Sequence, residues 1–104
     1  MPTHFKNLNE YKTFIQAKGL VLIDFYADWC GPCKQIAPMF EEWSKKYTKV
    51  AFGKVNVDES EDIATHEMIE AMPTFKFYLD GKLIQDVVGA NTKAILETLD
   101  KYGL

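Results

Sequence analysis

With 104 residues, 47% of them hydrophobic and 26% charged, the chain has ordinary globular composition and enough length for one domain that needs no disulfide to stay folded, which excludes disorder. Twelve basic against fifteen acidic residues leave a net charge of −3, and the scattered lysines form no nucleic-acid footprint. No stretch approaches the ~20 apolar residues of a membrane helix.

The opening Met1-Pro2-Thr3-His4-Phe5-Lys6 lacks the charged-then-apolar pattern of a secretory signal, so a cytoplasmic setting is expected. Thr3 to Phe5 reads as a short edge strand. Asn7 offers a helix N-cap, followed by Leu8, Tyr11, Phe14 and Ile15 at helical spacing up to a stop at Gly19. Leu20 to Ala27 is apolar on both alternating faces and interrupted only by Asp24, the pattern of a central strand covered on both sides. From about Gly31 to Tyr47 the residues Ile36, Phe40, Trp43 and Tyr47 make one helical stripe, with Pro38 inside it as the expected site of a bend.

Val50 to Val57 is a further buried strand, and Asp58 to Glu67 a loop and short helix with Ser60 as cap and Glu61 and Asp62 in the first turn. Thr74 to Leu79, then Asp80-Gly81, then Lys82 to Val88 is a hairpin signal, because Asp-Gly suits the positive φ angles of a tight primed turn. After Gly89, either Asn91 or Thr92 caps a last helix whose Ile95, Leu96, Leu99 and Tyr102 face inward. The order βαβαβαββα, with no repeat or linker, predicts one α/β domain over residues 1–104 with a mixed sheet and helices on both faces.

The chemistry is concentrated in Trp29-Cys30-Gly31-Pro32-Cys33-Lys34, which holds the only two cysteines. One helical turn puts positions i and i+3 on the same face, so the sulfurs can close a small disulfide ring or stand open as thiols. In a reducing compartment such a pair is catalytic or metal-binding more readily than structural. A zinc site would need His4 and His66, which stand at no recognised spacing from the pair. No metal is therefore expected, and both histidines read as solvated surface residues.

At this hexapeptide the chain strongly resembles the thioredoxin family, and the resemblance runs over essentially its whole length. Asp24-Phe25-Tyr26-Ala27 matches the family's buried-aspartate strand, Met72-Pro73-Thr74-Phe75 its cis-proline loop, and Val88-Gly89-Ala90 its second substrate-facing loop. The resemblance implies a five-stranded sheet of order 1-3-2-4-5 flanked by four helices. Tyr26, where many members have Trp or Phe, and His66-Glu67-Met68 depart from the usual composition.

Disulfide exchange needs a thiolate, and Cys30 at the helix start is the better placed to form one, beside unsatisfied N–H groups and the positive dipole end. Cys30 is expected to be the exposed nucleophile and Cys33 the resolving thiol of a Cys30–Cys33 redox disulfide. Asp24, desolvated in its strand, is the candidate proton acceptor, with Lys54 on the neighbouring strand moderating its pKa. Pro32 costs the first helical turn no needed N–H and stiffens the ring. Trp29, Gly31, Pro32, Met72, Pro73, Val88, Gly89 and Ala90 would form a docking face, with the backbone beside the proline free to pair with an extended segment.

By resemblance, the chain would be a reductant that binds no cofactor and draws on NADPH and FAD through a partner thioredoxin reductase. It would serve disulfide-containing proteins such as peroxiredoxin, ribonucleotide reductase or methionine sulfoxide reductase, as a monomer apart from membranes and nucleic acid. The alternative is a binding module or chaperone subunit whose dithiol only gates association.

Overall fold

The computed structural model describes all residues 1–104. Its elements are β1 (Thr3–His4), α1 (Leu8–Ile15), β2 (Leu20–Tyr26), α2 (Gly31–Lys46), β3 (Ala51–Asn56), α3 (Glu61–His66), β4 (Thr74–Leu79), β5 (Lys82–Val88) and α4 (Thr92–Tyr102). The strands form a single sheet in the order β1-β3-β2-β4-β5. β3 runs parallel to both β1 and β2, while β4 is antiparallel to β2 and to β5. This is the thioredoxin fold that the motifs implied.

Alternation along β2 divides the interior into two cores. Leu20 and Leu22 join Ile36, Phe40 and Trp43 of α2 and Ile95 and Leu99 of α4. Val21, Ile23 and Phe25 face the other way, onto Tyr11 and Ile15 of α1 and Ile63 of α3. Asp24 shares its face with Leu22, so its carboxyl is directed toward the α2 side of the sheet.

Local chemistry explains most boundaries. The Asn7 side chain accepts from Glu10 N and caps α1, and Asn91 does the same for α4 by accepting from Ala94 N. Asp80 and Gly81 both have positive φ, 51° and 86°, as the primed turn requires. That turn is also tied across space. Asp80 N donates to Gly19 O at 3.1 Å, and Gly19 N donates to Asp80 Oδ1 at 2.8 Å.

Three expectations need correction. Phe5 is not part of the first strand; it packs edge-on against Tyr11 and Phe14, with ring centroids 5.5 and 5.0 Å away. Ser60 stands at the start of α3 but its side chain makes no capping bond. The Ile63 amide that it would serve donates instead to the Asp62 carboxylate, which also accepts, across space, from Leu8 N, while the Asp58 and Glu59 amides ahead of the helix donate to Asn56 Oδ1. Tyr102 is 40% exposed, because the chain turns inward at Gly103, which donates to Leu99 O and lies against Val50. The β4–β5 ladder slips at Phe77/Tyr78, since Phe77 pairs with Gln85 and Tyr78 with Leu83. α2 continues through Pro38, whose ring is exposed and which has no N–H to offer the Lys34 carbonyl.

Gly53 on β3 is required by close packing. A Cβ there would sit 2.7 Å from Phe5 Cζ and 2.9 Å from Ile23 Cδ1. Gly53→Ala is expected to lower stability by about 1 to 3 kcal/mol in chemical denaturation. An unchanged midpoint would show that the aromatic cluster yields without cost.

Candidate active site

β2 ends at Tyr26 and the chain reaches α2 through Ala27, Asp28 and Trp29, so the cysteine pair stands where a central strand hands over to a helix start. Cys30 is the N-cap of α2. Its Sγ accepts from Cys33 N at 3.2 Å, the bond that a Ser or Asp oxygen makes at an ordinary cap. Cys33 lies in the first turn, its Cα 5.2 Å from that of Cys30, and the two sulfurs are joined. Pro32 occupies the turn position where no N–H is missed.

Exposure does not separate the two cysteines, contrary to the expectation of an exposed nucleophile. Cys30 is 5% and Cys33 4% accessible. They differ in what surrounds them. Cys30 is flanked by Trp29, which is 67% exposed, and by exposed Gly31 and Pro32. Cys33 instead lines an inner cleft of about 410 Å³ together with Asp24, Tyr26, Ala27, Asp28, Lys34, Ala37 and Lys54.

That cleft brings together Asp24 and Lys54, which are cross-strand partners on β2 and β3. Asp24 is almost fully buried and its Oδ1 has no hydrogen-bond partner. Burial pushes its carboxyl up to about 7, against the pull of the Lys54 charge in the opposite direction. The lysine is not ion-paired with it. Lys54 Nζ lies over the Tyr26 ring, 4.5 Å from its centroid, a cation–π contact that keeps the charge near Asp24 without neutralising it.

The remaining predicted residues stand on two loops joined by one hydrogen bond. Met72 is half-buried and packs, with Ala27 and Val57, on the two cysteines. The Met72–Pro73 peptide is cis, and Pro73 O accepts from Gly89 N at 2.7 Å, which joins the two loops. Gly89 has φ +92° and Val88 and Ala90 are exposed beside it. His4 and His66 are exposed on β1 and α3, and no cluster of three or more His, Cys, Asp or Glu side chains is arranged to hold a metal.

Two features were not readable in advance. Trp29 Nε1 donates to Asp58 Oδ2 at 2.9 Å, which orients the indole, and Asn56 Nδ2 reaches Asp28 Oδ2. Both contacts span almost thirty positions along the chain, with no local motif to mark them.

A helix-capping cysteine, a partner one turn on and a buried carboxyl behind them define a class of protein that exchanges dithiols for disulfides. A model of the family described as Thioredoxin matches residues 2–101, and the chain belongs to that family. It is 47% identical over 93 residues to thioredoxin 1 of Plasmodium falciparum, covering 89% of each chain. It is 46% identical over 99 residues to thioredoxin-1 of Saccharomyces cerevisiae, covering 95% of this chain and 96% of that one.

A solved structure concerned with the thiol-resolving mechanism of yeast mitochondrial 1-Cys peroxiredoxin via glutathione/thioredoxin systems contains a chain that superposes with TM-score 0.91. That match is at 40% identity and covers 96% of this chain and 94% of the other. The protein is a thiol–disulfide oxidoreductase, a protein-disulfide reductase of the thioredoxin type.

Proposed function

We propose that the Cys30 thiolate attacks one sulfur of a substrate disulfide, releasing the other as a thiolate and forming a mixed disulfide. Cys33 then gives its proton to Asp24 and attacks Cys30 Sγ, releasing the second substrate thiol and closing the Cys30–Cys33 bond. Two electrons pass from the protein dithiol to the substrate. The observation that carries these roles is the placement of Cys30 as the N-cap of α2, next to exposed Trp29, Gly31 and Pro32, and of Cys33 on the cleft with Asp24. The Cys33 N–H that already bonds Cys30 Sγ would stabilise the thiolate. Lys54 sets how far the Asp24 carboxyl is raised.

Trp29, Gly31, Pro32, Met72, Pro73, Val88, Gly89 and Ala90 are the docking face, small or apolar, with Met72 packed on the cysteines and Pro73 itself buried. An extended substrate segment pairs there with the Met72 backbone, as an added strand would. Regeneration is assigned to an NADPH-dependent thioredoxin reductase through its FAD. The substrate proteins are disulfide-containing partners such as peroxiredoxins, ribonucleotide reductase and methionine sulfoxide reductases, met by a monomer in the cytoplasm.

Insulin reduction with NADPH and thioredoxin reductase tests the whole cycle. Steady NADPH consumption with precipitation of the insulin chains is the expected result. Binding of partner proteins without turnover would favour a module in which the dithiol only gates association.

A further inference from the structure

α3 ends in an unusual way. Its C-cap Glu67 is followed by Met68 at φ +54°, a left-handed position normally given to glycine because a side chain strains it. Met68 N donates to Thr65 O at 3.1 Å and Ile69 N to Ala64 O at 3.0 Å, closing a tight turn. The Met68 side chain is 80% exposed and contributes little packing to hold that turn.

The restraint comes from below the turn. The hydroxyls of Tyr11 on α1 and Tyr78 on β4 both donate to one oxygen, Oε1 of Glu67. Both tyrosines are buried. Burial, reinforced by the bonded carboxylate, pushes both phenols up, so they remain protonated donors. Bonds from buried donors to a carboxylate are among the stronger kind. Ile69 packs against the same core that contains the two rings.

The chain then crosses Glu70, Ala71 and Met72 to a second anchorage, where Thr74 Oγ1 donates to Ala71 O at 2.6 Å and Gly89 N to Pro73 O at 2.7 Å.

We propose that Glu67 is a positioning residue for protein substrates: clamped by Tyr11 and Tyr78, it fixes the turn at Met68 and so holds the Met72–Pro73 loop where an extended substrate segment pairs with it. The inference rests on the docking role given above to that loop. It concerns binding of a polypeptide and leaves the sulfur chemistry untouched, so a disulfide too small to reach the loop should not sense it.

The test compares insulin with a small aryl disulfide as oxidant of the reduced protein. Glu67→Ala, and separately the volume-preserving pair Tyr11→Phe with Tyr78→Phe, should raise KM for insulin about fivefold, with kcat and the aryl disulfide rate unchanged. Glu67→Gln, whose amide oxygen accepts from the same hydroxyls, should stay within about twofold of the parent. Unchanged insulin KM in the first two variants, an equal loss with the aryl disulfide, or a Gln variant as poor as the Ala variant overturns the proposal. Val88→Asp separates this from the docking reading. KM raised by Val88→Asp but not by the clamp variants overturns the clamp alone, and KM unchanged in all of them overturns the docking face as well.

Discussion

Cys33→Ser should turn a catalyst into a trap. The first exchange step needs only the Cys30 thiolate, so the variant is expected to form a covalent adduct with a protein disulfide at close to the parent rate and then stop. The second step is intramolecular, between side chains on one helical turn. Losing such a positioned nucleophile should cut multiple turnover by at least about a thousandfold. Non-reducing electrophoresis followed by mass spectrometry would find the adduct on Cys30. Normal turnover, or adducts that dissociate as fast as they form, would remove Cys33 from the resolving role. Cys30→Ser should give neither adduct nor turnover, since the one thiol it keeps, Cys33, is 4% accessible and lines the cleft with Asp24.

Asp24→Asn should have opposite effects on activity and on stability. In the native protein burial holds the carboxyl at about 7, whereas in the unfolded chain it titrates near ~3.9. Below pH ~4 the group is protonated in both states and costs nothing. As pH rises toward 7 the unfolded chain ionises first, so the native state progressively loses stability and above about 7 carries the full penalty. Roughly three pKa units amount to about 4 kcal/mol, part of which the buried amide would retain.

The Asn variant should therefore be more stable than the parent by on the order of 3 kcal/mol at pH 8, with the difference fading toward pH 4. Its resolving step should be at least about tenfold slower near pH 7, and the dependence of that step on a group near pH 7 should vanish. Denaturation series across pH and single-turnover kinetics measure the two. A difference in stability that does not change with pH would mean that Asp24 is not a buried titrating group.

These two residues show what kind of information a linear reading holds. Cys30, Cys33 and Asp24 were found because chemistry and local context coincide: a dithiol at a helix start, and one carboxyl in an otherwise apolar strand. The Asp80-Gly81 turn and the Asn7 and Asn91 caps were legible for the same reason, since each is decided by residues within four positions. The sheet order was carried by the resemblance of four motifs, since periodicity alone predicts only a mixed sheet with helices on both faces.

What stayed hidden depends on partners far along the chain. Ser60 has the right side chain for a cap, yet the Ile63 amide it would accept from is already served by Asp62 Oδ1. Tyr102 has the right spacing for burial but loses its place to Gly103. Nothing near Glu67 indicates that Tyr11, 56 positions earlier, will meet it. The equal burial of the two cysteines was equally invisible, because it depends on Val57 after β3 and Met72 before β4 packing against them.

The reciprocal bonds between Gly19 and Asp80 lie beside the pairing of Leu20 with Leu79, at the opposite end of β2 from the disulfide. They give the molecule a fastened pole and a reactive pole. Loops at the first are stitched to each other, so the register of the sheet is secured without help from the loops at the cysteine end. A lineage can therefore rewrite the reactive rim, exchanging partners one loop residue at a time, while the fastened pole preserves the frame on which each new specificity is tried.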